Sequence, residues 1–114
     1  MKSNEFRKEL IKIMPGYNWT IHRKRFEASN YISATGIQSA GFNRLSTLEV
    51  IRRETERGVE YEVTSSGYGK RAPWLSVYTD GTLARALRGL QGYYEAMAMS
   101  YRNHAGSLQT GRVK

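Results

Sequence analysis

The spacing of apolar residues changes twice along the chain, from a helical period to a strand period and back to a helical one. The first helical stripe consists of Phe6, Leu10 and Ile13, which recur at intervals of four and three. Ser3 or Asn4 can cap this helix, and Pro15 ends it because proline does not continue a helix. The pattern predicts a short N-terminal amphipathic helix.

Beyond Pro15 the period falls to two, which is typical of a half-buried strand. The residues expected to face inward are Tyr17, Trp19 and Ile21, and those expected to face outward are Asn18, Thr20 and His22. A weaker strand pattern covers residues 31–37. Aromatic and β-branched side chains therefore supply the inner side of the first strand.

Two segments rich in β-branched residues, 45–54 and 59–64, flank a short turn in which Gly58 can take a left-handed conformation. These segments predict an antiparallel hairpin. A bulge at Gly58 would set its register, with the cross-strand pairs Arg52–Glu62 and Ile51–Val63.

The longest apolar stripe lies near the C-terminus. It consists of Leu83, Leu87, Leu90, Tyr94, Met97 and Tyr101, at alternating intervals of four and three. Thr79 or Asp80 is expected to cap this helix, and Gly106 to end it. Gly89 and Gly92 lower helix propensity by about 1 kcal/mol each, so they predict a backbone that lies close to a neighbour.

This order of elements predicts an α+β fold: an N-terminal helix, a three- or four-stranded antiparallel sheet, and a long C-terminal helix. Both helices are expected on one sheet face, with the other face partly open. A chain of 114 residues normally forms one core. We therefore expect a single domain over residues 1–106, followed by a flexible basic tail at 107–114.

Composition limits the classes of function. Eighteen Lys and Arg against ten Asp and Glu give a formal charge of +8, which favours acidic partners. The chain contains no cysteine, so neither a disulfide nor a cysteine-ligated zinc site is available. There is no apolar run long enough to span a membrane and no signal-peptide pattern, so we expect a cytoplasmic protein without membrane contact.

Few residues suggest catalysis. The chain has one aspartate, Asp80, and two histidines, His22 and His104, which is too little for a Ser-His-Asp triad or a metal centre. Glu60 and Glu62 share one face of a strand, but cross-strand arginines explain this pair more simply than catalysis does. We therefore expect a non-enzymatic protein with no catalytic residue, metal or cofactor.

Residues 65–74 combine glycines, aromatic side chains and two cations. They do not match the phosphate-binding motif Gly-x-x-x-x-Gly-Lys-Ser/Thr, because Arg71 stands where the hydroxyl is required. Lys70 and Arg71 are instead suited to contact phosphates while Tyr68 stacks on a base or sugar. The alternative is a solvated loop whose Trp74 packs into the core.

Positive residues recur in four clusters: Arg7, Lys8 and Lys12; Arg23, Lys24 and Arg25; Lys70 and Arg71; and Arg85 and Arg88. The first cluster is expected to be the solvated face of its helix. The candidate nucleic-acid-binding residues are Arg23, Lys24, Arg25, Tyr68, Lys70, Arg71, Arg85 and Arg88. If three clusters converge and neutralise about five phosphates, the log–log salt dependence of binding to duplex DNA has a slope of about −4 to −5.

The order helix, strands, helix, with a basic loop ahead of the final helix, resembles double-stranded RNA-binding domains. In that family a lysine cluster opens the second helix and grips phosphates across a groove. Here residues 72–78 and a turn separate Arg71 from Thr82. The resemblance therefore implies RNA binding by the domain without assigning it to individual residues.

The small size, the lack of cysteine and segments 15–22 and 71–75 resemble short accessory proteins encoded by phages and prophages. That class implies action on a host protein or nucleoprotein, for instance as an anti-CRISPR inhibitor. Many such inhibitors are acidic mimics of nucleic acid, and the charge of +8 argues against mimicry.

Two functions are therefore expected. The first is a non-enzymatic nucleic-acid-binding module that contacts mainly phosphates and has low sequence selectivity. The alternative is a phage-type accessory protein that binds a host protein or nucleoprotein through the open sheet face, or through Tyr93 and Met99. DNA or RNA, single or double strands, and a monomer or a dimer are all compatible with these patterns.

Overall fold

In a computed structural model, the chain forms helix α1 (Ser3–Ile13), five strands and helix α2 (Leu83–Arg112). The strands are β1 (Asn18–His22), β2 (Tyr31–Ala40), β3 (Asn43–Thr55), β4 (Gly58–Ser66) and β5 (Trp74–Asp80). The structure describes residues 1–22, 30–41, 43–66 and 74–113.

The five strands form one antiparallel sheet in sequence order, each paired with the next. The predicted α+β class is confirmed, but the sheet has five strands where three or four were expected. The additional strand is β5. Its sequence does not alternate cleanly between polar and apolar residues, since Trp74 and Leu75 are both apolar, as are Val77 and Tyr78.

One apolar core lies between the sheet and the two helices. Its helical members are Phe6 and Leu10 of α1 and Leu83, Ala86 and Leu90 of α2. Its buried strand members are Trp19, Ile32, Ala34, Leu48, Val50, Tyr61 and Val63. These strand residues occupy one set of alternating positions, so both helices pack on the same sheet face, as predicted.

The opposite sheet face is largely polar. One row of neighbouring residues across it consists of Thr20, Thr35, Glu49, Thr64 and Val77. No helix among the described residues packs on this face. His22, also on this side, lies 2.7 Å from the Thr35 hydroxyl through its Nε2 atom.

The β3–β4 hairpin forms as predicted, but its expected register is wrong by one residue. Thr55 pairs directly with Gly58, so Arg52 faces Tyr61 and Ile51 faces Glu62. Gly58 has a positive φ of 119°, as its place in the turn requires, but it forms no bulge. The Thr55 hydroxyl closes the turn by donating to the Gly58 carbonyl at 2.8 Å and accepting from the Arg57 N–H at 3.2 Å.

Both predicted N-caps are wrong. The N-cap of α1 is Lys2, whose backbone N–H donates to the Glu5 carboxylate at 3.3 Å. The N-cap of α2 is Thr82, whose hydroxyl accepts from the Arg85 N–H at 3.2 Å. Thr79 and Asp80 cannot cap α2 because they still belong to β5.

The prediction that α2 ends at Gly106 is wrong, because the helix continues to Arg112. The Ser107 and Thr110 hydroxyls donate to the carbonyls four residues earlier, at 3.1 Å and 3.0 Å, which is the usual side-chain bond of Ser and Thr inside a helix. The predicted apolar stripe is buried at Leu90, whereas Tyr101 is 65% exposed. The last turns of α2 therefore extend beyond the sheet, and the domain boundary at residue 106 stays a prediction.

The two glycines of the α2 stripe differ in their surroundings. A Cβ atom at Gly89 would lie 2.8 Å from Cδ1 of Tyr78, whereas a Cβ atom at Gly92 would meet nothing within 4 Å. Close packing therefore explains Gly89 and not Gly92. We expect Gly92→Ala to raise the free energy of unfolding by about 1 kcal/mol through helix propensity, and Gly89→Ala to lower it by about 1–2 kcal/mol through the clash.

Urea denaturation of the two variants measures this difference, and each serves as the control for the other. Equal stabilisation by both substitutions would contradict the close contact between Tyr78 and α2.

Candidate nucleic-acid interface

Two of the eight predicted nucleic-acid-binding residues lie in the described part of the chain. Arg85 and Arg88 are exposed on the first two turns of α2. The other six, namely Arg23, Lys24, Arg25, Tyr68, Lys70 and Arg71, lie outside the described residues. The described part of the candidate site therefore consists of the start of α2 and of the ends of β1 and β4, which precede the other two segments.

Arg85 and Arg88 point away from the core because of the neighbours that share their helical turns. Leu83, Ala86 and Leu90 are buried against the sheet, at 2%, 1% and 4% exposure. The two arginines are three residues apart and are therefore neighbours on the opposite helix surface. Neither forms an ion pair with any other residue that the structure describes.

The residues that precede the two basic segments lie at opposite ends of the sheet. His22 ends β1 and pairs with Ser33, whereas Ser66 ends β4 and pairs with Thr47. These two end positions are four residues apart along the strands and three strands apart across the sheet. Standard strand spacings convert this offset to about 20 Å.

The basic residues of α1 divide into one with an internal contact and two that face solvent. The Arg7 guanidinium donates through Nη1 to the Trp19 carbonyl at 2.8 Å, which ties α1 to β1. Lys8 and Lys12 are exposed and have no ion pair within the described ranges. This cluster is therefore partly structural.

Arg52 and Arg53 of β3, in contrast, are paired with glutamates. Arg53 Nη1 lies 3.5 Å from Glu60 Oε1 and 3.2 Å from Glu62 Oε1. Arg52 Nη1 lies 2.7 Å from Glu54 Oε1. A cross-strand arginine therefore accounts for Glu60 and Glu62, as predicted, although the partner is Arg53 because of the register.

A polar network joins α1 to strands β3 and β4. The Tyr61 hydroxyl donates to Glu9 at 2.7 Å, and Arg52 Nε donates to the same hydroxyl at 3.2 Å. Burial and the Glu9 carboxylate raise the pKa of Tyr61, and the hydrogen bond from Arg52 lowers the pKa of Glu54. The N-terminal ammonium group lies 3.5 Å from Glu54 and also lowers that pKa.

The lowered pKa of Glu54 predicts a pH dependence of stability. Since the folded pKa lies below the ordinary value of 4.5, this contribution is present above that pH and is lost as the pH falls through the folded pKa. Glu54→Gln is therefore expected to lose less stability than the wild type on acidification, in denaturant unfolding at neutral and acidic pH. The control is Glu56→Gln in the exposed turn, and identical acid sensitivity of Glu54→Gln and the wild type would contradict the role of the ion pair.

A second feature of the helix layer is a cleft of about 400 Å³ between α2, the end of α1 and the start of β3. Its apolar lining includes Met14, Tyr17, Leu48, Leu87, Leu90 and Tyr94. The hydroxyls of Ser65 and Tyr94 form a hydrogen bond at this cleft, and the Tyr17 hydroxyl donates to Ser46 Oγ at 2.9 Å. Sequence reasoning did not identify the cleft, because the apolar stripes of the helices do not specify the gap between them.

The described residues contain no helix that is both long and apolar enough to cross a membrane. They also contain no group of three or more His, Cys, Asp or Glu side chains arranged to hold a metal ion. Comparisons with protein-family models, curated proteins and solved structures find no match to this chain.

Proposed function

We propose that this protein is a non-enzymatic nucleic-acid-binding module that contacts mainly the phosphate backbone and has low sequence selectivity. The observation that carries the proposal is a difference between the sheet and helix α2 in how their arginines are paired with acidic residues. In the sheet, Arg52 and Arg53 bind glutamates, whereas Arg85 and Arg88 on α2 have no anionic partner in the part of the chain that the structure describes. Unpaired, exposed guanidinium groups are the side chains best suited to bind phosphate.

Helix α2 carries most of the charge imbalance of the described elements. Its one acidic residue is Glu95, and its four basic residues are Arg85, Arg88, Arg102 and Arg112. Arg85 and Arg88 lie in the first two turns, where the helix is held firmly by the burial of Leu83 and Ala86. A fixed helix holds its cations at constant spacing, which favours contact with successive phosphates.

The proposal assigns the remaining phosphate contacts to Arg23, Lys24 and Arg25 and to Lys70 and Arg71, with Tyr68 stacking on a base or sugar. Segments 23–29 and 67–73 together contain five Lys and Arg against one Glu.

Fluorescence anisotropy at low ionic strength tests the proposal, with labelled single- and double-stranded DNA and RNA of equal length. We expect binding to at least one of these forms, with similar affinity for unrelated sequences of that form. A preference for double-stranded RNA would support the resemblance to that family. Absence of affinity for all four forms would remove the proposal.

The second candidate is a phage-type accessory protein that binds a host protein or nucleoprotein, for example as an anti-CRISPR-like inhibitor. The exposure of large apolar side chains on α2 favours this candidate, since Met99 is 62% and Leu108 is 69% exposed. A complex captured from a bacterial lysate that survives nuclease and moderate salt would favour it. Complete loss after nuclease treatment would favour the nucleic-acid-binding function.

A further inference from the structure

The C-terminal half of α2 is exposed on all its sides. All of residues 98–112 are exposed, and they include the large apolar side chains Met99, Tyr101 and Leu108. The radius of gyration is 17.4 Å, compared with about 13 Å for a compact chain of this length. We call residues 98–112 the free end of α2.

A helix of this kind is poorly stable on its own. Isolated helices of about 15 residues are marginal in water, and Gly106 and Gly111 each lower helix propensity by about 1 kcal/mol. The first half of α2 is anchored on the sheet and nucleates the free end, but a partner surface would stabilise these last turns further.

The free end continues the same helix face that lines the cleft. Leu87, Gln91, Tyr94 and Ala98 line the cleft from α2. At 100° per residue, the same face passes next through Tyr101, Ala105 and Leu108. One chain thus carries an apolar cleft and, directly beyond it, a helix end with an apolar stripe.

We propose that a second copy of this chain occupies the cleft. The two α2 helices pack antiparallel around a two-fold axis near Ala98, and the free end of each copy lies across the mouth of the other copy's cleft, with only apolar side chains of that end inside it. A two-fold interface requires one surface that is complementary to itself, and a cleft next to a matching helix end meets this condition. This inference is independent of the proposed nucleic-acid binding.

The residue positions give a self-complementary register. Ala98 lies midway between Gln91 and Ala105, so these two residues face each other across the axis. Leu87 and Leu108 lie at nearly equal distances on either side of it, so the leucine of each free end reaches the leucine in the other cleft. Ala98 itself is small, which lets the two helices approach closely at the axis.

Charge also supports the antiparallel arrangement. Glu95 and Arg102 lie on the same rim of the face, three residues before and four residues after Ala98. In an antiparallel pair, equivalent rims meet, so Glu95 of each copy lies beside the Arg102 of the other. Glu95 has no ion pair inside its own chain among the described residues.

The area is that of a small interface. A free end about 22 Å long and about 10 Å wide buries about 350 Å² when one side is covered. The mouth of the cleft adds less than this, so each copy buries clearly less than the roughly 800 Å² of a standard interface, and we expect a weak dimer that forms at micromolar concentration.

Disulfide trapping tests the register in the full-length protein, which contains no cysteine of its own. Ala98→Cys places a thiol at the axis, and we expect rapid formation of a covalent dimer of twice the 13.0 kDa chain mass under mild oxidation. Ala96→Cys is the matched control, because Ala96 is equally exposed but lies on the opposite helix face. Equal cross-linking of both variants, or none for Ala98→Cys, would overturn the register.

Sedimentation equilibrium of the cysteine-free protein tests the dimer itself. We expect Glu95→Arg or Arg102→Glu alone to weaken the dimer about tenfold, and the double variant to restore it, because the charges exchange places. A wild type that stays monomeric at high micromolar concentration would overturn the proposal. The same result is expected if a small apolar ligand, and not a second copy, fills the cleft.

Discussion

Phe6→Ala is expected to lower the free energy of unfolding by about 3–5 kcal/mol, because it removes a fully buried aromatic ring and leaves a cavity. Phe6 has 0% exposure and, with Leu10, forms the buried side of α1. The Phe6 ring and the Leu10 side chain belong to the same buried core cluster as Trp19 of β1. Without Phe6, α1 loses much of the contact that holds it on the sheet.

The control for Phe6→Ala is Ile11→Ala in the same helix. Ile11 is 48% exposed, so its truncation removes little buried area, and we expect a loss below about 1 kcal/mol. Urea denaturation followed by circular dichroism measures both variants. Equal losses for the two substitutions would contradict the packing of α1 on the sheet.

The second large effect is expected for Arg85→Gln combined with Arg88→Gln. If both guanidinium groups contact phosphates, the double variant loses about 10- to 100-fold in nucleic-acid affinity at low salt. The slope of the log–log salt dependence should also become shallower by about 2. Glutamine is a good helix former, so α2 and the fold are retained.

The matched control removes the same charge at two other exposed positions, through Lys12→Gln combined with Arg57→Gln. Lys12 lies in the last turn of α1 and Arg57 in the β3–β4 turn. Fluorescence anisotropy compares the two double variants. An equal loss of affinity in both would show that total charge, and not the Arg85–Arg88 surface, governs binding.

The parts of the fold that follow local periodicity could be predicted from the sequence. The alternation around Trp19 and Ile21 predicted β1, and the stripe that begins at Leu83 predicted α2 together with its buried face. Each of these patterns depends only on which side of one helix or strand faces the core. The apolar and polar residues of that element are therefore enough to predict it.

Features that depend on contacts between elements could not be predicted in the same way. The register of the hairpin depends on how the Thr55 side chain closes the turn. Strand β5 is specified by pairing with β4, since its own residues do not alternate cleanly. The extension of α2 past Gly106 likewise has no clear local signal, because glycine occurs both just after helix ends and, at a modest cost, inside helices.

The candidate site shows the same division. The exposure of Arg85 and Arg88 follows from the helical period, and the sequence predicted it. The neutralisation of Arg53 by two glutamates follows from strand pairing, and the sequence predicted the type of partner but not the residue. The cleft at Tyr94 depends on the separation of two helices, for which the sequence carries no local signal.

The salt dependence of nucleic-acid binding tests the central claim most directly, namely that exposed cations of this protein grip phosphates. The measurement is the dissociation constant of the wild-type protein with a short duplex over a series of salt concentrations. We predict a linear log–log plot with a slope of about −4 to −5, as expected when about five phosphates are neutralised. A slope near zero, or no binding of single- or double-stranded DNA or RNA at the lowest salt concentration, would contradict the claim.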